Sequence, residues 1–115
     1  MITVTLCHGD DGRFVSCRAK GHAGYAKAGN DIVCSASSIL IRTLVLDLDE
    51  KARMNKDLCI AVECAEKGSV TVDVCECTPQ MFPYLSFLFG FLKRGFESLS
   101  CEYPNNIRLE ILNVS

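Results

Sequence analysis

Cys34 and His22 are the side chains of this 115-residue sequence whose types suit covalent chemistry. An imidazole beside a thiol draws off its proton, the thiolate attacks an acyl carbon, and the imidazole then protonates the leaving amine, so the pair suits a peptidase. Between them runs Gly21-His-Ala-Gly-Tyr-Ala-Lys-Ala-Gly-Asn30, with three glycines in ten residues. It reads as a mobile substrate loop, with Gly21, Gly24, Tyr25 and Gly29 as its characteristic residues, able to fold His22 back onto the sulfur. Asp31 has the chemistry of a helix N-cap, which places Cys34 in the first helical turn. There the unpaired backbone N–H groups and the positive end of the macrodipole favour a thiolate. Asp31 can also orient His22. Ser38 lies one turn beyond Cys34 on the same helical face, where its hydroxyl can bond to the Cys34 carbonyl or help shape the site. The plain alternative is a surface His and a core Cys that happen to flank one loop. His8, in a hairpin turn, reads as solvated.

Seven further cysteines accompany Cys34, giving eight in all. Paired Cys-x2-Cys or Cys-x4-Cys knuckles with a second pair downstream would announce zinc, and the spacing of Cys7, Cys17, Cys59, Cys64, Cys75, Cys77 and Cys101 shows no such arrangement. Neither a metal nor a cofactor is expected. The seven read as small buried hydrophobes with packing roles. Met1 to Cys7 alternates apolar and polar residues instead of building a secretory signal. The longest apolar run, Met81 to Leu92, is twelve residues and contains Pro83 and Gly90, well short of the ~20 that a membrane span needs. The expectation is therefore a cytoplasmic protein, where disulfides are disfavoured. A formal charge of −2 lacks the basic surplus of a phosphate-backbone binder, so direct contact with nucleic acid is not expected.

The elements that must hold this pair follow from hydrophobic period. With 49% hydrophobic residues the chain can fill a core, and its length predicts one domain over 1–115. Ile2 to Cys7 and Phe14 to Lys20 alternate as a hairpin around His8-Gly-Asp-Asp-Gly12. A helix is predicted from the Asp31 cap to about residue 53, with Asp47/Lys51 and Asp49/Arg53 as i,i+4 pairs near its end. Leu58 to Cys64 and Val70 to Val74 alternate on either side of Ala65-Glu-Lys-Gly68 as a second hairpin. Thr78-Pro79 matches an N-cap followed by proline, opening a second helix to Ser100 whose first turn Pro83 delays or kinks. Ile107, Leu109 and Ile111 supply a last strand. The order β-β-α-β-β-α-β predicts an α+β two-layer sandwich with two helices packed on a five-stranded sheet.

On the second helix Met81, Leu85, Leu88, Leu92, Phe96 and Leu99 form one stripe, flanked by Phe82 and Phe89 on one side and Tyr84, Phe87 and Phe91 on the other. The apolar arc spans roughly 220°, more than one covered sheet face requires. The excess predicts a homodimer contact through this helix, the alternative being a helix sunk deeper into its own subunit.

Gly21-His22-Ala23-Gly24-Tyr25-Ala26, then Gly29, then Asp31-Ile32-Val33-Cys34, closely resembles the signature of the bacterial ribosomal-processing cysteine protease family, Prp. Chain length, element order and the Tyr103-Pro104 before the final strand are similar to that family across essentially the whole chain. The resemblance implies Cys34 as catalytic cysteine and His22 as catalytic histidine. It also implies removal of the short N-terminal extension of the large-subunit ribosomal protein L-twenty-seven, after a pair of aromatic residues, and a homodimer. One departure is visible: Ser35-Ala36-Ser37-Ser38 follows Cys34, where the family usually has Ala-Ala and a small apolar residue before the Ser. The expected function is thus a cytoplasmic cysteine endopeptidase acting on a ribosomal protein precursor. The reading from another class is a non-catalytic ribosome-associated protein-binding module in which Cys34 is only a helix-start residue.

Overall fold

In the computed structural model, which describes residues 1–21, 28–64 and 68–114, two hairpins and two helices alternate as the hydrophobic period predicts. Strands β1 (Ile2–His8) and β2 (Phe14–Lys20) pair antiparallel, with a bulge at Cys7/His8. Helix α1 (Ala28–Met54) follows, then β3 (Cys59–Glu63) and β4 (Ser69–Glu76), again antiparallel. A single 3-10 turn, Pro79–Met81, leads into α2 (Phe82–Glu102), and β5 (Ile107–Asn113) closes the chain. The five strands lie in the order β3-β4-β2-β1-β5, with β5 parallel to β1 at one edge. This is the expected α+β sandwich.

Register explains which side chains meet the helices. Leu6 stands opposite Cys17, and Cys17 opposite Val72, so all three point to the same face. Val4 opposite Ala19 and Ile2 opposite Ile107 do the same. These residues are buried against Met81 of the 3-10 turn and the stripe of Leu85, Leu88, Leu92, Phe96 and Leu99 on α2 and against Val33, Ile41, Leu44 and Leu48 on α1. The other sheet face carries Thr3, Thr5, Arg18, Lys20, Thr71 and Asp73, an alternation that antiparallel sheets tolerate when one side meets water.

Several expectations need correction. The predicted cap at Asp31 is not the helix start: α1 begins at Ala28, so Asp31 lies inside the helix and Cys34 is its seventh residue, in the second turn. Gly29, assigned to the mobile loop, also lies in α1. Thr78 precedes the 3-10 turn without donating or accepting a side-chain capping bond, and α2 proper begins four residues later, with Pro83 in its first turn. His8 ends β1, half-buried, with its Nδ1 2.7 Å from the Gly9 carbonyl oxygen and its ring 5.1 Å from that of Phe89.

Cysteine placement departs furthest from expectation. Only Cys17 is buried; Cys7, Cys34 and Cys77 are half-buried, and Cys59, Cys64, Cys75 and Cys101 are exposed, all as free thiols. The physical reason is the uncovered sheet face and the element ends: alternation aims Cys59 and Cys75 outward, where the two thiols interact. Burial pushes the Cys17 thiol up to about 12.

Candidate active site

Helix α1 presents Cys34 towards the end of the sheet where β1 and β4 begin and β2 and β3 end. Helical spacing places Ser37 and Ser38, then Ile41 and Arg42, then Val45 on the same side as Cys34. All six line a cavity of about 550 Å³. Ile2, Ala19 and Val70 form the sheet side of its wall, and Gly68 and Ser69 the hairpin side. The lining is mainly apolar with a few polar groups, the composition of a ligand site. Cys34, Ser38 and Arg42 also border a shallower hollow of about 330 Å³ with Ser35 and Ile39. The thiol thus stands where two concavities meet.

Gly21 sits on the rim of the larger cavity, at the point where the chain leaves β2. Its φ of +95° belongs to the left-handed region, and a Cβ added there would collide with the Met1 carbonyl oxygen. Only glycine meets both conditions without strain. The next residue in the chain is His22. His22, Gly24 and Tyr25 lie outside the described residues, as does the side chain of Asp31.

Ser38 is exposed and lines both concavities with Cys34. Two features were not read from the sequence. Ser37 is 4% exposed, and its hydroxyl has no hydrogen-bond partner among the described residues. Cys64, at the end of β3, puts a second thiol at the same cavity. The alternation of Cys64 with Val62 was the available signal for the second of these, but it says nothing about which strand end faces the helix.

The helix-terminus argument for Cys34 does not survive the earlier start of α1. In the second turn the backbone N–H groups are bonded to carbonyls four residues back, and the field of the terminus falls off within the first turn.

A further cavity, of about 560 Å³, lies at the opposite end of the sheet beside Arg13, Lys56, Asp57 and Glu76. Its charges are mixed and Cys34 is not among its residues. Among the described residues no cluster of three or more His, Cys, Asp or Glu side chains is arranged to hold a metal ion. No helix among them is long and apolar enough to cross a membrane.

Fold and cleft together define the class: a small α+β sandwich in which a helix cysteine opens onto a largely apolar groove at the end of the sheet. The chain belongs to the Cysteine protease Prp family, whose sequence model matches residues 1–108. It is accordingly a cysteine protease, and the reading as a non-catalytic binding module gives way. Solved structures share the fold at low identity. The ribosomal processing protease Prp from Staphylococcus aureus, in complex with a substrate peptide, is 20% identical with a TM-score of 0.72, covering 96% of this chain and 99% of that one. The same protease with a covalently linked product peptide gives 0.69 at 20% identity, with the same coverage. SMU.848 from Streptococcus mutans gives 0.74 at 24% identity, covering 99% of this chain and 96% of that one. No curated protein matches the sequence.

Proposed function

We propose that this chain is a single cytoplasmic cysteine endopeptidase domain that removes the N-terminal extension of the large-subunit ribosomal protein L-twenty-seven. Cys34 is the nucleophile and His22 the general base and acid. The observation that carries the reading is the position of Cys34: a half-buried thiol in the wall of a peptide-sized, mainly apolar cavity whose rim, at Gly21, leads directly to His22. A ribosomal target is supported by family membership and by the S. aureus protease of the same fold, described as a ribosomal processing protease with a substrate peptide bound.

In this mechanism His22 takes the thiol proton and the Cys34 thiolate attacks the scissile carbonyl carbon. The tetrahedral intermediate collapses to a thioester as imidazolium protonates the departing amine. His22 then draws a proton from water, which hydrolyses the thioester and frees the thiol. Ser38 shapes the groove beside the sulfur, and Asp31 orients the imidazole. The active species is a homodimer joined through α2.

Incubation with a peptide spanning the N-terminal extension of the organism's own ribosomal protein tests this directly. Cys34→Ala abolishes cleavage and His22→Ala lowers kcat by about 10²–10⁴-fold. Undiminished cleavage by Cys34→Ala would remove the nucleophile and with it the mechanism.

A further inference from the structure

Cys59 and Cys75 meet across the outer hairpin. Strand β3 is at one edge of the sheet, paired with β4, and their register shifts between Cys59 and Ile60. Ile60 stands opposite Val74 and Cys59 opposite Glu76, so Cys75 is the extra residue of a bulge and faces Cys59 together with Glu76. One step from the Ile60/Val74 pair, alternation puts Cys59 and Cys75 on the same, uncovered side of the sheet. Both are exposed free thiols, and the two side chains interact directly. Neighbouring strands run about 4.7–4.9 Å apart, inside the range of ~4.4–6.8 Å between Cα atoms that a disulfide spans. Cys75 also borders the cavity at the end of the sheet away from Cys34, so this pair is separate from the protease thiol. Cys64 lies five residues along from Cys59, about 16 Å in an extended strand, and Cys101 belongs to α2.

We propose that Cys59 and Cys75 are a redox modification site, a dithiol that a low-molecular-weight disulfide converts reversibly to a cross-strand disulfide. One protein thiolate attacks a sulfur of the incoming disulfide RSSR, which breaks its S–S bond, forms a mixed disulfide and releases RS⁻. The second protein thiolate attacks the protein sulfur of that mixed disulfide, closing the Cys59–Cys75 bond and releasing a second RS⁻. The two protein thiol protons go to the two departing thiolates, so the dithiol gives up two electrons and RSSR becomes two RSH. Because the second attack joins groups already in contact, the mixed disulfide is short-lived. Excess RSH reverses both steps, as expected of an exposed bond in a reducing compartment. Closure fastens the edge strand β3 to β4 at the bulge.

Reduced wild-type protein incubated with oxidised glutathione, quenched with acid and mapped by tandem mass spectrometry tests the assignment. The expected product carries a Cys59–Cys75 link about tenfold or more above any other linkage, while Cys101 carries a glutathione adduct. Dithiothreitol restores both thiols. The link survives in Cys64→Ser and Cys77→Ser and is lost in Cys59→Ser and Cys75→Ser, each of which keeps glutathione on its remaining partner. In the linked protein the β3 amides exchange with deuterium about tenfold more slowly than in the reduced one. Wild-type molecules that retain glutathione on both Cys59 and Cys75, or whose link runs to Cys64 or Cys77 instead, overturn the proposal without reliance on any variant. Unchanged exchange in β3 overturns the fastening of the edge strand.

Discussion

Cys34 lines both concavities on its side of α1 whereas Cys64 lines only the larger, and chemistry can rank the eight thiols. At pH 6, iodoacetamide modifies Cys34 first, and His22→Ala slows that modification about tenfold or more, because it removes the proposed general base. Mass mapping of alkylated peptides checks the order. Cys17 reacts last, since burial pushes its thiol up to about 12 and leaves it out of reach until the chain unfolds. Modification of Cys64 ahead of Cys34 would move the nucleophile across the groove. Ser37 makes a second, opposite kind of prediction. Its buried hydroxyl lacks a partner among the described residues, so Ser37→Ala is neutral or stabilising by about 0.5–1 kcal/mol, read as a higher urea midpoint. The residues themselves were legible: thiol, imidazole and glycine-rich spacer identify the chemistry without coordinates. What the sequence does not carry is accessibility, because the bulge between β1 and β2, the uncovered sheet face and the strand ends decide which cysteines meet water, and these are properties of pairing rather than of spacing.

The two helices are clasped by a group that spacing arguments treat as ordinary surface charge. The Tyr84 hydroxyl of α2 donates to an Asp47 carboxylate oxygen of α1 at 2.5 Å, while the Lys51 ammonium lies 3.7 Å from the same carboxylate and 5.1 Å from the Tyr84 ring centre. Further along, a Cβ on Gly95 would stand 2.9 Å from Leu40 Cδ2, so the helices approach closely there too. Burial first, then the hydrogen bond to Asp47, pushes the Tyr84 hydroxyl up. An unfolded tyrosine ionises near pH 10, whereas the native one keeps its proton to higher pH. The stabilisation is therefore whole below about pH 10 and is lost as pH rises through the native ionisation. Tyr84→Phe costs about 1 kcal/mol at neutral pH and removes most of this alkaline loss, which urea unfolding at pH 7 and pH 10.5 resolves. An unchanged pH dependence would show that the clasp contributes nothing. At this scale the strands were read to within one or two residues because apolar alternation is strict, and the α2 stripe was read residue for residue. The start of α1 was misread because Ala28 and Gly29 carry no entry signature while Asp31 carries a good one, so local cap chemistry pointed four residues too late.

For the whole molecule the open question raised by the wide apolar arc of α2 is what its outer edge meets. Phe82 and Tyr84 are partly buried and Phe89 is buried, so the subunit's own core accounts for much of the arc. Phe87 and Phe91 remain 70% and 61% exposed, stacked with ring centres 6.0 Å apart. Across the helix pair, Ile39 and Leu46 of α1 are also exposed, and a groove of about 340 Å³ lined by Leu40, Thr43, Leu44, Phe87, Leu88 and Phe91 runs between the helices. The stacked Phe87 and Phe91 rings beside this groove put two large apolar side chains together in solvent, the kind of surface that association covers. A second copy of the chain, placed by a two-fold axis, can cover Phe87 and Phe91 with the same residues of its own, which is the arrangement proposed here. Sedimentation at micromolar concentration then gives a dimer for the wild type and a monomer for Phe87→Glu with Phe91→Glu, and melting temperature rises with protein concentration only in the wild type. Because both rings are exposed in the subunit, the double variant retains the fold by circular dichroism. A dimer that survives both charges would place the contact elsewhere and leave the two rings as an unclaimed patch on the helical layer. Since the groove beside Cys34 and the groove beside Phe87 and Phe91 share no described lining residue, a monomeric double variant that still cleaves peptide would further show that each subunit carries a complete site.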